Sequence, residues 1–474
     1  MAERVSKLIV LGAVAVCVLA YCAYVRPGYF TSTVYLEGLL LLECLAGAIW
    51  LYRQIFFPIL LITFLLAGFD PPLGGVWNMG RWVILGVGAV VGTVIMVRER
   101  SHHFGSAHFL AGFAVLAAIV SAAVSRYTVL SFSKVLSLFL LFLYAVTGPR
   151  LALTGREDRF FAGLLVSCEV FVAGIAAAHF LGRDVLGNPN SLGAVMGVVA
   201  MPILLWALLL RQEAFAHRRR VLLFGVATYL TFSSHARAAM LASFLACGLL
   251  CVGLRKYRLL AQGIGILVIV IAIGAIVQPE AFSDTVSAIN SSVLYKGKDP
   301  TEGLMSSRES PWEQTVDAIR EHFWFGTGFG TSDNGQVGST DIGRFATTTA
   351  TSSEHGSSYL AITAWVGILG VLPFVFLMGA LARRVVHTVS WMARTGNPAH
   401  AAIPLAMIVF AGMIHAAFED WLFAPGYYLC VFFWSAAFLL VDQAPTPEAA
   451  GSHAPLFWRF KALRRPWEPV GPIR

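Results

Sequence analysis

Apolar runs separated by short polar loops make up most of the 474-residue chain. Most runs hold about 15 to 25 residues, enough for an α-helix to cross the hydrocarbon core of a bilayer. The runs lie at about 7–25, 34–69 (two tightly turned spans), 82–97, 107–124, 129–147, 160–181, 191–210, 221–233, 238–254, 259–277, 358–382, 402–418 and 425–441. This pattern predicts an all-α protein, a polytopic transmembrane helical bundle of about 12–14 spans.

One extended polar segment interrupts the apolar pattern near the C-terminal third of the chain. It divides the sequence into N-terminal transmembrane helices at 1–277, a large external loop at 278–357, C-terminal transmembrane helices at 358–441 and a basic tail at 442–474. Because nearly everything else is apolar helix, we expect this loop, with its short helices, to carry the catalytic segment.

Composition and charge support a membrane protein and set its orientation. Hydrophobic residues make up 57% of the chain and charged residues 13%, whereas soluble chains carry about 25% charged residues. The net charge of +8 comes from clusters such as Arg218–Arg220 and Arg255–Arg258, which all fall on one side of the predicted topology. The positive-inside rule makes that side cytoplasmic, together with both termini, and no nucleic-acid partner is implied.

A short helix is predicted inside the loop. Ser310 is a good N-cap, Pro311 suits the first helical position and Glu313 completes a capping box. Gly326 and the glycines that follow it predict that the helix ends in a flexible loop.

His355 is the first candidate for chemistry, because it lies at the outer mouth of a span, within reach of a lipid headgroup. Histidine is the side chain whose ordinary pKa suits proton transfer near neutral pH. The alternative is a histidine that only forms a hydrogen bond at a helix start. Glu354 beside it either orients the imidazole or is solvated.

Arg237 and Arg308 are candidate anion ligands. A guanidinium matches phosphate through its fork of donors and keeps its charge. The alternatives are an arginine that extends to the membrane interface at Arg237 and a solvated surface arginine at Arg308. Arg126 and Arg183 are also predicted outside and extend the candidate substrate-binding set. Two cations and one base would suit a pyrophosphate-linked donor attacked by a hydroxyl.

Other polar residues suggest different interpretations. Glu37, Glu43 and Glu169 lie within apolar runs, as the carboxylates of a proton-coupled transporter do. His108 is predicted to be solvated in an inner loop. The sequence contains no metal-binding motif and no phosphate-binding P-loop, so neither a metal nor another cofactor is indicated.

Four features in order resemble the O-antigen ligase and polymerase superfamily of bacterial envelope enzymes. They are Gly187–Gly193 (GNPNSLG), Ser234–Ala239 (SHARAA), Arg308 with Trp312 and His322–Gly330 (HFWFGTGFG), and His355 with Tyr359-Leu360 and Gly367–Gly370 (GILG). His415 with Glu419 and Asp420 is also similar. The resemblance covers roughly residues 185–425.

The resemblance implies an inverting, metal-independent glycosyl transfer at the periplasmic face of the bacterial inner membrane. The donor would be a glycan on undecaprenyl pyrophosphate and the acceptor a sugar hydroxyl of lipid A–core. Membrane lipid is a further expected partner, and no obligate protein partner is inferred. In this interpretation His355 is the general base, or orients the acceptor hydroxyl, and Arg237 and Arg308 bind the leaving pyrophosphate.

Three activities of this superfamily fit the sequence. We favour a ligase, because the chain is of moderate length and has one large outer loop. A polymerase or a protein O-oligosaccharyltransferase would use the same donor. A flippase or proton-coupled transporter is the alternative from another class, and it would depend on the intramembrane carboxylates and not on His355.

Overall fold

The computed structural model describes residues 43, 46–47, 74–99, 104–153, 156–182, 186, 188–210, 214–277, 306–331 and 355–445. These residues form helices, turns and loops, and no strand occurs among them. The helices are α1 (Gly74–Glu99), α2 (Ser106–Val124), α3 (Thr128–Leu153), α4 (Glu157–Phe180), α5 (Pro189–Leu209), α6 (Ala214–Ser233), α7 (Arg237–Gly253), α8 (Tyr257–Val277), α9 (Ser306–Glu321), α10 (Ser358–Thr395), α11 (Ala402–His415) and α12 (Tyr428–Gln443).

The predicted fold class is confirmed: the chain is an all-α polytopic membrane protein. Six of the described helices are long and apolar enough to cross a membrane. The helix ends agree with the apolar runs to within a few residues in most places, because hydrophobic length is what a bilayer demands of a helix. The first predicted span, most of the stretch 34–69 and the tail beyond 445 lie outside the described residues.

The start of α9 differs from the prediction. The helix begins at Ser306, so Pro311 lies inside it and Ser310 is not its N-cap. The Ser310 hydroxyl instead accepts a hydrogen bond from the Gln314 amide at 3.2 Å. The physical reason is tertiary: Arg308 is buried and paired with Glu419, and this contact holds the extra turn in place.

The helices pack around a core that includes α2, α3, α10, α11 and α12. α10 lies along α2, α1 packs on α3 and α7 packs on α11. Small residues permit the closest approaches. An added Cβ at Gly197, in the π-helical segment Val195–Ala200 of α5, would lie 2.7 Å from the carbonyl oxygen of Ala239 on α7.

α10 is broken at Gly367, where φ is 69° and ψ is 179°, so the backbone there is not helical. The segment 322–331, which we call the glycine loop, supplies the missing partners. Its Thr327 and Gly328 amides donate to the carbonyls of Ala364 and Trp365, each at 3.0 Å, and its Phe323 carbonyl accepts from the Ile368 amide at 2.8 Å. Irregular backbone within a membrane-spanning helix is tolerated because it is satisfied inside the protein.

The glycine loop was predicted to be flexible, and this prediction is wrong. Residues 326–331 are all buried, and the side chain of Ser125, just after α2, and side chains of α3 hold them. The Ser125 hydroxyl donates to the Thr327 carbonyl at 2.8 Å, and Lys134 donates to the Gly330 carbonyl. Positive φ values at Gly326, Gly328 and Gly330 therefore shape one fixed loop.

Loops and helix ends that are predicted on the same side of the membrane contact one another. One end of the bundle, which we call the outer end, contains two such contacts. The Ser125 hydroxyl donates to the Thr327 carbonyl, and the Tyr427 hydroxyl donates to the Ser191 hydroxyl. At the opposite, inner end the Trp206 indole donates to the Pro398 carbonyl at 2.8 Å. These contacts agree with the predicted sidedness of the loops, while the assignment of the outer end to the periplasm stays a prediction.

The inner end contains a buried charge cluster. Arg150 on α3 donates to the Asp442 carboxylate on α12 through Nε at 2.7 Å and also through Nη2. His108 lies 4.0 Å from the same carboxylate and is 9% exposed. The prediction that His108 is solvated is therefore wrong, because α2 carries it into the helix packing against the ring of Phe438.

Candidate active site

His355 lies just before α10 and is 3% exposed. Its Nδ1 lies 3.0 Å from the Thr315 hydroxyl on α9, and its Nε2 lies 3.1 Å from the Trp365 indole nitrogen on α10. Its backbone amide donates to the Asp420 carboxylate at 3.1 Å. The residue thus joins the external helix, the broken helix and the turn after α11.

Burial lowers the pKa of His355 below its ordinary value, because desolvation disfavours the imidazolium. The Asp420 carboxylate acts in the opposite direction and raises this pKa, while Lys134 lowers it. The histidine is therefore held neutral near pH 7, as a general base must be before it takes a proton.

Arg308 on α9 is buried and forms an ion pair with Glu419. Gly356 lies beside it: an added Cβ there would be 3.4 Å from the Arg308 Cδ and 3.0 Å from the Trp312 indole nitrogen. Ser358 stabilises the turn that contains Glu419, because its hydroxyl donates to the Glu419 carbonyl at 2.6 Å. The second arginine predicted for the site is thus held next to His355, not solvated.

Arg237 is the first residue of α7 and lies close enough to Arg308 for the two like charges to interact. It follows a tight turn in which the Ala236 amide donates to the Ser234 hydroxyl at 3.3 Å and His235 has a φ of 53°. The start of α5 packs against this turn, because an added Cβ at Gly193 would lie 2.5 Å from the Ala236 Cβ.

Tyr427 and Tyr428 connect the same region to α12. The Tyr427 hydroxyl donates to the Ser191 hydroxyl at 3.1 Å and lies 3.3 Å from the Tyr428 hydroxyl. His415 ends α11 nearby, where the Trp421 indole donates to its Nδ1 at 2.7 Å and the charge of Arg308 acts on it. Two cations, two carboxylates and several hydroxyls therefore gather at one end of the bundle.

The other residues predicted for the site do not join the cluster around His355 in the described part of the chain. Arg126 is exposed and lies over the ring of Tyr127, 5.7 Å from its centre, next to Ser125, which contacts the glycine loop. Arg183 and Glu354 lie outside the described residues. The assignment of all these residues to substrate binding stays a prediction.

Sequence reasoning missed the partners of the candidate residues. The sequence marks Thr315 and Trp365 only as parts of an external helix and a span, and it predicts no role for Glu419 or Asp420. The sequence signal that points to these partners is the acidic pair Glu419-Asp420 itself, because two adjacent carboxylates between late apolar spans need buried partners. The described residues contain no group of three or more His, Cys, Asp or Glu that could hold a metal ion.

The fold and the gathered polar groups define a polytopic α-helical membrane protein with a buried polar site at one end. Residues 221–375 match a family model described as O-Antigen ligase, which supports the resemblance to the O-antigen ligase and polymerase superfamily over that part of the chain. Enzymes of this family are glycosyltransferase-like and act in O-antigen processing. The match is narrower than the expected 185–425 but includes Arg237, Arg308 and His355. None of the curated proteins matches the chain.

Proposed function

We propose that the protein is an O-antigen ligase. It transfers a glycan from undecaprenyl pyrophosphate to a sugar hydroxyl of lipid A–core at the periplasmic face of the inner membrane. The observation that supports the proposal most strongly is that Arg237, Arg308 and His355 all belong to the family-matched region and lie together at the outer end.

In the proposed reaction, His355 accepts the proton of the acceptor hydroxyl as its oxygen attacks the anomeric carbon of the donor. The bond between that carbon and the pyrophosphate oxygen breaks, and the leaving group keeps the electron pair. A single displacement of this kind inverts the anomeric configuration and needs one base.

Arg237 and Arg308 stabilise the negative charge that develops on the pyrophosphate. Both keep their positive charge under all physiological conditions, so the step is metal-independent in this proposal. Glu419 holds Arg308 in its orientation before the donor arrives. The pyrophosphate then competes with this carboxylate for the guanidinium.

A transporter is less well supported because a carboxylate it would use already has strong partners. Glu169 lies 2.5 Å from Arg219 and 2.7 Å from Arg220 and is 6% exposed. A buried carboxylate paired with two guanidiniums is poorly suited to release and bind a proton in each transport cycle.

The proposal is tested with the purified full-length protein, a fluorescent undecaprenyl-pyrophosphate glycan and lipid A–core, with chelator present. We expect label on lipid A–core from the wild type. His355→Gln should lose at least about 100-fold of this activity, since general base catalysis contributes that much. The matched control is His387→Gln, which makes the same change near the far end of α10 and should keep full activity.

Four outcomes contradict this proposal or parts of it. Longer lipid-linked glycan without label on lipid A–core would make the protein a polymerase. Loss of transfer with chelator would overturn metal independence, and retention of the donor configuration in the product would overturn a single displacement. No transfer of any kind by folded protein would overturn the glycosyltransferase assignment for this chain.

A further inference from the structure

The hydrogen bonds around His355 determine which ring nitrogen carries the proton. An indole N–H only donates, so Nε2 accepts from Trp365 and bears no hydrogen. The contacts of the other ring nitrogen, Nδ1, lead independently to the same protonation state. The Thr315 hydroxyl donates its hydrogen to the Pro311 carbonyl at 2.6 Å, so its oxygen must accept a hydrogen bond from Nδ1 of His355. The ring is therefore neutral and protonated on Nδ1.

This arrangement also means that neither ring nitrogen is free. The basic nitrogen, Nε2, already has a partner in Trp365, and the ring is almost fully buried. The backbone of Trp365 is fixed, because its carbonyl accepts from the Ser121 hydroxyl at 2.5 Å and from the Gly328 amide at 3.0 Å. Only its side chain can therefore move to uncover the histidine.

We propose that Thr315 and Trp365 are positioning residues for His355. Thr315 keeps the proton on Nδ1, and Trp365 occupies Nε2 until an acceptor hydroxyl displaces the indole. This inference rests on the proposed function for its final step. There the hydroxyl proton moves to Nε2, and the hydroxyl oxygen bonds to the anomeric carbon as the bond to the pyrophosphate oxygen breaks and the pyrophosphate leaves with the electron pair. The resulting imidazolium still donates from Nδ1 to Thr315.

The two residues should shift the protonation of His355 in opposite directions. The indole bonds only to the neutral ring, so Trp365→Phe removes a preference for that form and favours protonation. Thr315 accepts from Nδ1 in both forms but more strongly from the imidazolium, so Thr315→Val disfavours protonation. Among the described residues, the other charged groups near the ring are Asp420 on the turn after α11, Lys134 on α3 and Arg308 on α9, and both variants leave them intact.

The test measures carbethoxylation of His355 by diethylpyrocarbonate, which reacts with an unprotonated ring nitrogen. The purified full-length protein is treated across a range of pH, and the modified peptide is quantified by mass spectrometry. We expect slow reaction in the wild type and a several-fold faster reaction in Trp365→Phe, with its midpoint moved up by about half to one pH unit. Thr315→Val should move the midpoint down by a similar amount, and Thr315→Ser should restore the wild-type value.

The matched control is Trp206→Phe, which removes another buried indole hydrogen bond, at the inner end, and should change nothing at His355. Equal upward shifts in Trp365→Phe and Thr315→Val would mean that both only loosen packing, and would overturn the proposal. If His355 reacted in none of the variants, removal of the indole would not expose Nε2. Trp365 would then not be the group that shields it, and the proposal would be overturned. Because this reaction needs no glycan, its result is separate from whether the protein transfers one.

Discussion

At Asp420, a substitution can separate the effect of the carboxylate's charge on His355 from the effect of its hydrogen bond to the His355 backbone. The carboxylate accepts from the His355 backbone amide at 3.1 Å, and its charge also favours the imidazolium form of the same residue. An asparagine retains an oxygen that can accept the amide hydrogen bond but carries no charge. Substitution therefore isolates the electrostatic contribution of Asp420 to the base.

We expect Asp420→Asn to extend glycan transfer to lower pH. Loss of the negative charge lowers the pKa of His355 further, so the ring stays neutral, and active as a base, in more acidic solution. The acid limb of the pH–rate profile should move down by about half a unit or more, and the maximal rate should fall because the base is weaker. Asp317→Asn, at an exposed carboxylate of α9, is the control. An unchanged or higher midpoint in Asp420→Asn would contradict this account.

The site residues divide into those a sequence reveals and those it does not. His355 could be found because it lies at the mouth of a span and its side chain suits proton transfer near neutral pH. Its partners lie 40, 10 and 65 residues away at Thr315, Trp365 and Asp420. Such pairings depend on how helices pack, and hydrophobic length, which determined the spans, carries no information about them.

At the scale of helices and loops, the glycine loop and the break in α10 form one unit. The sequence predicted a glycine-rich loop after α9 and an apolar span after His355, and both exist. It did not predict that the loop would fill the gap at Gly367, because local glycine content indicates a turn and not what the turn contacts. The same limitation led to the wrong expectation of a flexible loop.

Gly367→Ala should strongly destabilise the protein. The residue has a φ of 69°, and an added Cβ would overlap the backbone carbonyl of Trp324 in the glycine loop. We expect a loss of about 3 kcal/mol or more, from backbone strain and displacement of the loop. Gly379→Ala is the control on the same helix, since no atom lies within 4 Å of its added Cβ. It should be neutral or slightly stabilising.

The measurement for this pair is thermal unfolding in detergent, followed by tryptophan fluorescence. Trp324 and Trp365 flank the docked backbone and should report its displacement. Equal melting temperatures for the two alanine variants would show that the loop tolerates the extra atom, against the expectation from the geometry.

On the scale of the whole molecule, the two polar ends give a test of orientation. Arg126 lies at the outer end and Asn397 at the inner end, and both are exposed. We expect a membrane-impermeant maleimide to label Arg126→Cys in spheroplasts and Asn397→Cys only after the membrane is opened. Wild-type protein measures the background from the native cysteines. The reverse pattern would invert the topology and contradict a periplasmic site.

The inner-end charge cluster should matter for stability and not for chemistry. Asp442→Asn leaves Arg150 mostly buried without its carboxylate, and breaking such a pair costs about 3–5 kcal/mol. Arg320→Gln, which breaks the exposed pair with Asp317, should cost less than about 1 kcal/mol. Thermal unfolding of both variants measures the difference, and transfer per folded molecule should stay unchanged in Asp442→Asn. Selective loss of transfer would instead connect the two ends of the bundle.

The break at Gly367 also has a consequence for how the chain is made. The first half of α10 cannot complete its own backbone bonding, and the groups that do so belong to a segment synthesised before it. A span that entered lipid alone would expose the carbonyls of Ala364 and Trp365, at several kcal/mol each. We therefore expect the glycine loop to dock against this span before the insertion machinery releases the nascent chain. On this account, insertion and tertiary folding are a single event at this position.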